Sequence, residues 1–264
     1  MRKENPKISI ITITYNSERT LEETIQSIVS QEYENLEYLI IDGGSKDHTL
    51  DIVNKYRDKI NTIISERDKG ISDAFNKGIE RATGDIIGII NSDDCLCMGA
   101  LSEIANAYKP DLDVYRGNLI IWNENTGEKL MARPSMIFPV KSRIKCVCHP
   151  STFISSKAYK KWGVYNTDYK YMMDVDILYR FYRNGASFLH IDKNLAQFRL
   201  GGVTSNNWKR KREELKAVLI GNGCHSLYVY YRLYEFSFYH ILKNAAFNMF
   251  GEDLVRKYRY PTYE

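Results

Sequence analysis

The chain lacks the two glycine-rich signatures that mark many nucleotide sites. It contains no G-x-x-x-x-G-K-[ST] run, which excludes a P-loop NTPase, and no G-x-G-x-x-G after its first strand-like run, which excludes the dinucleotide-binding fingerprint. No uncharged apolar run reaches about 18 residues, so no membrane-spanning helix is expected. The start, MRKENPKISI, carries basic residues but passes directly into strand-like alternation. It has no apolar h-region or small-residue cleavage site, and no signal peptide is expected. Cysteines are few and odd in number: Cys95, Cys97, Cys146, Cys148 and Cys224. That count points to reduced thiols in a cytoplasmic protein rather than a disulfide framework. The two Cys-x-Cys pairs near His149 are spaced more tightly than usual zinc ligands, and they read as small buried thiols. Internal repeats and low-complexity linkers are also missing.

What is present is ordinary globular material, 264 residues with 44% hydrophobic and 27% charged residues. This suits one large domain, or a core domain with an appendage. The net charge of +4 is small but unevenly placed. Residues 207–264 hold 10 Lys/Arg against 6 Asp/Glu, whereas residues 1–206 hold 27 of each. A core without a basic face argues against nucleic acid as a partner.

Along the chain, ISIITIT (8–14), LEYLIID (36–42), NTIISE (61–66) and DIIGII (85–90) read as strands. Helical spacing follows each of them, in 17–31 (with Ser17 as a cap), 48–58, 71–82 and 98–108. Four strands alternating with four helices predict an α/β fold built on a parallel, doubly wound sheet. In such sheets ligands bind beyond the carboxyl ends of the strands. The polar turns lie at those ends: TYN (14–16), DGGS (42–45), ERDKG (66–70) and NSDD (91–94). They are expected to converge as the walls of one cleft. Beyond residue 112 the pattern changes to a hairpin (113–132), a strand at 148–155, a helix at 172–185, short strands at 187–192 and 195–200, and two helices between 208 and 250.

Several groups in these turns could carry chemistry. Asp93 and Asp94 repel each other unless a cation lies near, and a divalent cation with phosphate oxygens would satisfy them; alternatively they cap the helix near Met98. Tyr15 could offer its ring to a nucleobase or simply pack. Asp42 could accept from a base or ribose, or serve only as a turn residue. Asp174 is either a catalytic carboxylate or an acid stabilised at a helix N-terminus. Asp176 lies about 200° around the helix from it, so both cannot face a cleft equally.

The ordered set ISIITITYN, LEYLIIDGGSKDHT, SERDKGISDAFNKGI, GDIIGIINSDD, HPSTFI and DVDILYR closely resembles the family 2 glycosyltransferases, over about residues 7–185. The resemblance implies a GT-A, Rossmann-like, mostly parallel sheet with helices on both faces, followed here by a C-terminal helical extension. It also implies inverting transfer of a sugar from a nucleotide-diphosphate-sugar donor, usually with Mn²⁺ or Mg²⁺. Carried over residue by residue, Thr12, Tyr15 and Asn16 would line the nucleoside pocket, and Asp42 would contact the nucleotide. Asp68, Lys69 and Gly70 would border the nucleotide and diphosphate. Asp73 and Asn76 belong to the short helix facing the donor. Asp94 would reach the metal, with Asp93 nearer the ribose or donor sugar. Asp174 would be the base that takes the acceptor proton, with Asp176 as runner-up. His149 would lie on the acceptor side, and Arg199, with Gly201 and Gly202, would close over the diphosphate. Two departures stand out: Gly43 replaces an Asp common in the family, and Met173 replaces a Glu before Asp174.

The expected organisation is a catalytic domain over 1–206, with a nucleotide-sugar half (1–110) and an acceptor half (111–206), and a helical basic-aromatic extension over 207–264. KRKREELK (209–216) reads as a solvated helical face. In 227–250, Leu227, Tyr231, Tyr234, Phe238, Ile241 and Ala245 form a stripe flanked by basic residues. It suits a membrane surface, with packing on the catalytic domain or a homodimer contact as alternatives. The expected activity is transfer from a UDP-sugar to a saccharide or lipid-linked acceptor in cell-surface polysaccharide or lipopolysaccharide assembly, at the cytoplasmic face of the membrane. The rival is a catalytically inactive nucleotide-sugar-binding regulator on the same fold.

Overall fold

Strict alternation of two apolar sets builds the sheet. In β1 (Ile8–Thr14) and β2 (Leu36–Asp42), Ile8, Ile10, Tyr38 and Ile40 pack into one cluster, while Ile11, Leu39 and Ile41 pack into another. Side chains alternate across a strand, so a strand with apolar residues on both faces must be covered on both. Helices α1 (Leu21–Val29), α2 (Thr49–Lys55) and α4 (Ala100–Ala107) cover the first face, and α3 (Ile71–Arg81) and α6 (Met173–Arg183) the second. Each fully buried Ile or Leu contributes about 1.5–3 kcal/mol. The computed structural model describes residues 5–134, 147–200, 207–251 and 254–255.

The remaining strands are β3 (Thr62–Ser65), β4 (Ile86–Ile89), β5 (Cys95–Leu96), β6 (Val114–Trp122), β7 (Lys129–Ala132), β8 (Thr152–Ser155) and β9 (Phe188–Arg199). The sheet runs β3-β2-β1-β4-β8-β6-β9-β5, with β7 paired to β6. Its first half, β3-β2-β1-β4, is parallel throughout; β8 joins β4 antiparallel, and β6 pairs parallel with β9. The chain winds outward from β1 through β2 to β3, then returns to lay β4 on the other side. That reversal places a crevice at the carboxyl ends of β1 and β4. Close packing aims α3 at it: a Cβ at Gly78 would lie 2.5 Å from Ile11 Cγ2, so this helix rests directly on β1.

The second half departs from expectation in detail. His149–Ser151 form a 3-10 turn, and only Thr152–Ser155 continue as a strand. Residues Phe188–Arg199 form one strand rather than two, with register shifts on either side of the Asn118–Asn194 pair that pass over Asp192, Lys193 and Leu195. Helix α5 (Ser156–Trp162) was not expected; the Ser155 hydroxyl caps it by accepting from Ala158 N at 3.2 Å. The two C-terminal helices are α7 (Trp208–Gly221) and α8 (Ser226–Phe250). Leu215, Val218, Leu219, Val229 and Leu233 enter the same cluster as Val175, Leu178 and Tyr179 of α6, so the extension shares a core with the sheet.

Candidate active site

The turns after β1, β3 and β4 meet at the crevice, and a cleft of ≈ 2250 Å³ opens there. That exceeds the roughly 300–1,000 Å³ of a pocket for one small molecule, leaving room for two substrates. Tyr15, Asn16, Asp68, Lys69, Gly70, Asp73, Asn91, Asp93, Asp174 and Arg199 line it. Residues separated by more than 150 positions thus share one surface.

The first turn is held by hydrogen bonds to the second. Asn16 takes a left-handed backbone (φ 49°), a conformation Asn tolerates better than most residues. Its N–H donates to Ser45 Oγ (2.8 Å), and its side-chain oxygen accepts from Lys46 N (2.9 Å). Tyr15 is left 60% exposed where it lines the cleft. The Ser17 hydroxyl, expected as a helix cap, instead meets Ser92 Oγ at 2.8 Å and joins the β1 turn to the β4 turn.

Three expected nucleotide contacts lie elsewhere. Thr12 is fully buried and takes a hydrogen bond from Tyr38 Oη at 3.1 Å. Asp42 is also fully buried; its carboxylate accepts from Ser45 N, Ser45 Oγ, Gly44 N and Ser65 Oγ, so it builds the DGGS turn rather than facing a ligand. Asn76 exchanges two hydrogen bonds with the Tyr165 backbone (2.8 and 2.9 Å), clamping α3 to the loop before α6. DGGS therefore supports the cleft from behind. Asp68 occupies the space above Gly43: a Cβ at residue 43 would lie 2.5 Å from Asp68 Oδ2. Its other oxygen accepts from Gly70 N (2.9 Å), while Asp73 closes the same turn by accepting from Lys69 N (3.0 Å).

The acidic turn reverses the expected order. Asp93 lines the cleft, whereas Asp94 is fully buried behind it, accepting from Asn91 Nδ2 and Arg199 N at 3.4 Å each. Burial pushes the Asp93 carboxyl up; burial and then the neighbouring Asp93 charge push Asp94 well above the usual carboxylate range. Asn91 Oδ1 is buried without a partner. An under-neutralised pair of carboxylates with a spare amide oxygen is a donor set of hard oxygens, which fits a divalent cation. Among the described residues no cluster of three His, Cys, Asp or Glu side chains forms, so such a cation would complete its shell with phosphate and water oxygens.

Arg199 lines the cleft but is already engaged. Its guanidinium pairs with Glu23 and with Glu124 (2.7 Å) and lies 4.5 Å from the Trp122 ring. These contacts brace β9 against α1 and the acidic turn. Gly201 and Gly202 lie outside the described residues, as does Cys146.

At the opposite wall, Asp174 stands in the first turn of α6. His149 Nδ1 is 3.0 Å from Asp174 Oδ1, and the imidazole stacks on Phe75 at 5.0 Å. The ring therefore backs Asp174 from the protein side. Asp176 is 5% exposed and tied to Arg180 (3.4 Å) and Asn222 (3.3 Å), which removes it as a candidate base. One contributor was invisible in sequence. Glu214, inside the supposedly solvated KRKREELK, is buried and accepts from the N–H groups of Lys170, Tyr171 and Met172. Its spacing from Arg210 gave the only local hint.

Comparison with known proteins places this cleft in a family. The model of the glycosyl transferase family 2 matches residues 9–181. The putative glycosyltransferase EpsE of Bacillus subtilis is 28% identical over 234 residues, 84% of this chain and 83% of that one. A PGL/p-HBAD biosynthesis glycosyltransferase of Mycobacterium bovis is 27% identical over 198 residues, 70% of this chain and 75% of its own. Among solved structures, S. aureus TarS 1-349 in complex with UDP-GlcNAc superposes with a TM-score of 0.69 at 20% identity, covering 93% of this chain and 76% of that one. The mannosyltransferase PcManGT of Pyrobaculum calidifontis, in complex with GDP-Man and Mn²⁺, gives 0.63 at 17% identity, covering 83% and 64%. With a GT-A-type sheet and a family match that takes in both acidic walls of the cleft, this chain belongs to glycosyltransferase family 2 and is a transferase.

Proposed function

We propose that this transferase moves a sugar, with inversion, from a nucleotide-diphosphate-sugar to an acceptor hydroxyl, in the assembly of a cell-surface polysaccharide or lipopolysaccharide. One observation carries the reading: Asp93 and Asp174, 81 positions apart, face one cleft large enough for donor and acceptor together. Tyr15 and Asn16 form the nucleoside end, and Asp68, Lys69 and Gly70 the wall along the diphosphate. Asp93 would hold Mn²⁺ or Mg²⁺, with Asn91 beside it. When bound, that cation offsets the charge developing on the departing diphosphate. Asp174 accepts the proton of the acceptor hydroxyl as its oxygen bonds to the anomeric carbon and the bond from that carbon to the diphosphate oxygen breaks. A UDP-sugar is the favoured donor, in keeping with the UDP-GlcNAc bound by TarS; the GDP-Man and Mn²⁺ bound by PcManGT support the metal.

The test is thermal stability against UDP-, GDP-, dTDP- and CMP-linked sugars with and without Mn²⁺. At a hundredfold excess over Kd a ligand of the folded state stabilises it by about 2.7 kcal/mol, or roughly 5–10 °C for a chain of this size. A shift with UDP-sugars that needs metal is the expected result. No shift with any nucleotide overturns the reading.

The acceptor is a saccharide or lipid-linked sugar presented at a membrane surface, on whose inner face the protein rests, and residues 207–264 act as the docking extension of a catalytic domain over 1–206. On α8, Leu227, Tyr231, Tyr234, Phe238 and Ile241 are all at least half exposed, while Val229 and Leu233 make the internal contacts. No described helix is long and apolar enough to cross a membrane, but an exposed aromatic stripe preceded in sequence by the basic run KRK (209–211) suits the interface of anionic lipid. The wild type is expected to float with phosphatidylglycerol vesicles, and the double variant Phe238→Glu, Ile241→Glu to remain unbound. Equal flotation of both, or concentration-dependent dimerisation lost in the variant, refutes the membrane assignment.

A further inference from the structure

Helix α6 carries Asp174 in its first turn, and the N–H groups at such an end have no partner within the helix. Here the N-cap N–H of Met172 and the two N–H groups before it are taken by a carboxylate from the C-terminal extension. Glu214 of α7, 7% exposed, accepts from Lys170 N (3.1 Å), Tyr171 N (2.7 Å) and Met172 N (3.0 Å) through Oε2, and from Lys170 N through Oε1 at 3.2 Å. Arg210 Nε lies 3.2 Å from Oε1 and holds it in place. A carboxylate at this position also meets the positive end of the helix dipole. The same extension grips α6 at two further points: Asn222 Nδ2 donates to Asp176 Oδ1 (3.3 Å), and the Tyr179 hydroxyl meets Cys224 Sγ at 3.0 Å. Residues 170–172 are consecutive, and Asp174 follows two positions later. A clasp on three successive N–H groups fixes the backbone from which the Asp174 side chain departs.

We propose that Glu214 is a positioning residue for Asp174: the extension, which lies beyond the residues matched by the family model, sets the aim of the catalytic carboxylate. This rests on the reading of Asp174 as the base. Glu214 is buried and does not line the cleft, so its loss is expected to act on turnover and not on donor binding. A displacement of about 1 Å at a reacting group costs on the order of 100-fold in rate.

The experiment is steady-state release of nucleoside diphosphate from the sugar nucleotide that stabilises the protein most, measured for wild type, Glu214→Ala, Glu214→Gln, Asp174→Asn and the Glu214→Ala, Asp174→Asn pair. Glu214→Ala is expected to lower kcat by about 10–100-fold with donor KM within twofold. Glu214→Gln keeps the length and one accepting oxygen, and is expected to recover most of that loss. In the Asp174→Asn background, Glu214→Ala is expected to cause no further loss, because the residue it positions is already gone. A kcat for Glu214→Ala within twofold of wild type overturns the proposal. So does an equal loss of kcat and donor affinity, or a full additional loss in the double variant. If Glu214→Ala does not fold, Glu214→Gln decides: it folds with intermediate kcat and unchanged KM, or the assignment fails. An unchanged rate in Asp174→Asn alone would instead refute the base.

Discussion

Asp174→Asn is expected to lower turnover by about 10²–10⁴-fold, the range for losing a general base, while leaving nucleotide affinity within twofold. Asparagine keeps the shape of the side chain and its place in the first turn of α6, but it cannot take the acceptor proton. The nucleoside end of the cleft, at Tyr15 and Asn16, is built by β1 and the DGGS turn, whose hydrogen bonds tie Asn16 to Ser45 and Lys46 and not to α6. Donor binding should therefore be blind to the substitution. Neither of the two nearest titratable candidates replaces the lost base: Asp176 is buried against Arg180 and Asn222, and His149 is stacked on Phe75. Nucleotide release followed beside calorimetric donor titration checks both halves. A variant that turns over as fast as wild type would refute Asp174 as the base; nucleotide binding without turnover in either protein would favour the inactive-regulator reading.

The parts of this site that were legible in sequence are those encoded locally. A run with apolar residues on both alternating faces, closed by a polar turn, marks a strand covered on both faces and the place where its carboxyl end meets solvent. Four such runs were enough to bring TYN, ERDKG and NSDD to one edge. What stayed hidden depends on contacts between distant residues. Asp42 and Thr12 have the right types in the right motif, yet Ser65 and Tyr38, on neighbouring strands, consume their polar groups. Asn76 sits on a helix whose start faces the cleft, but 89 positions on, the Tyr165 backbone claims it. Arg199 looked available until Glu23 and Glu124 closed on it from two other elements. Glu214 is the reverse case. Local composition marks a solvated, charged face, and only the packing of α7 on α6 turns one of its acids inward. Helix α5 escaped because SKAYKKW has too few apolar residues to set a period.

Asp93→Asn should weaken metal-supported nucleotide binding by at least about 100-fold, and Asp94→Asn by only about 10-fold, the lower end of what supporting residues of a metal site contribute. The order inverts what the motif alone implied, and geometry is the reason. Asp93 opens onto the cleft, where a cation can share it with a diphosphate; Asp94 points back, held by Asn91 and the Arg199 backbone, with Thr24 Oγ1 bonded to its carbonyl at 2.8 Å. Asparagine at 94 can still accept from Arg199 N and keep the turn in shape. At 93 it removes the charge of the acidic turn that opens onto the cleft. Mn²⁺ titration at fixed nucleotide concentration, followed by melting temperature, reads the difference directly, and repeating it with chelator present should make wild type and both variants coincide. If Asp94→Asn proves the more damaging, the NSDD turn must rearrange when metal and nucleotide enter, carrying Asp94 out past Asp93. The bond from Arg199 N would then have to break, so Arg199 and its partners Glu23 and Glu124 would be the elements that move.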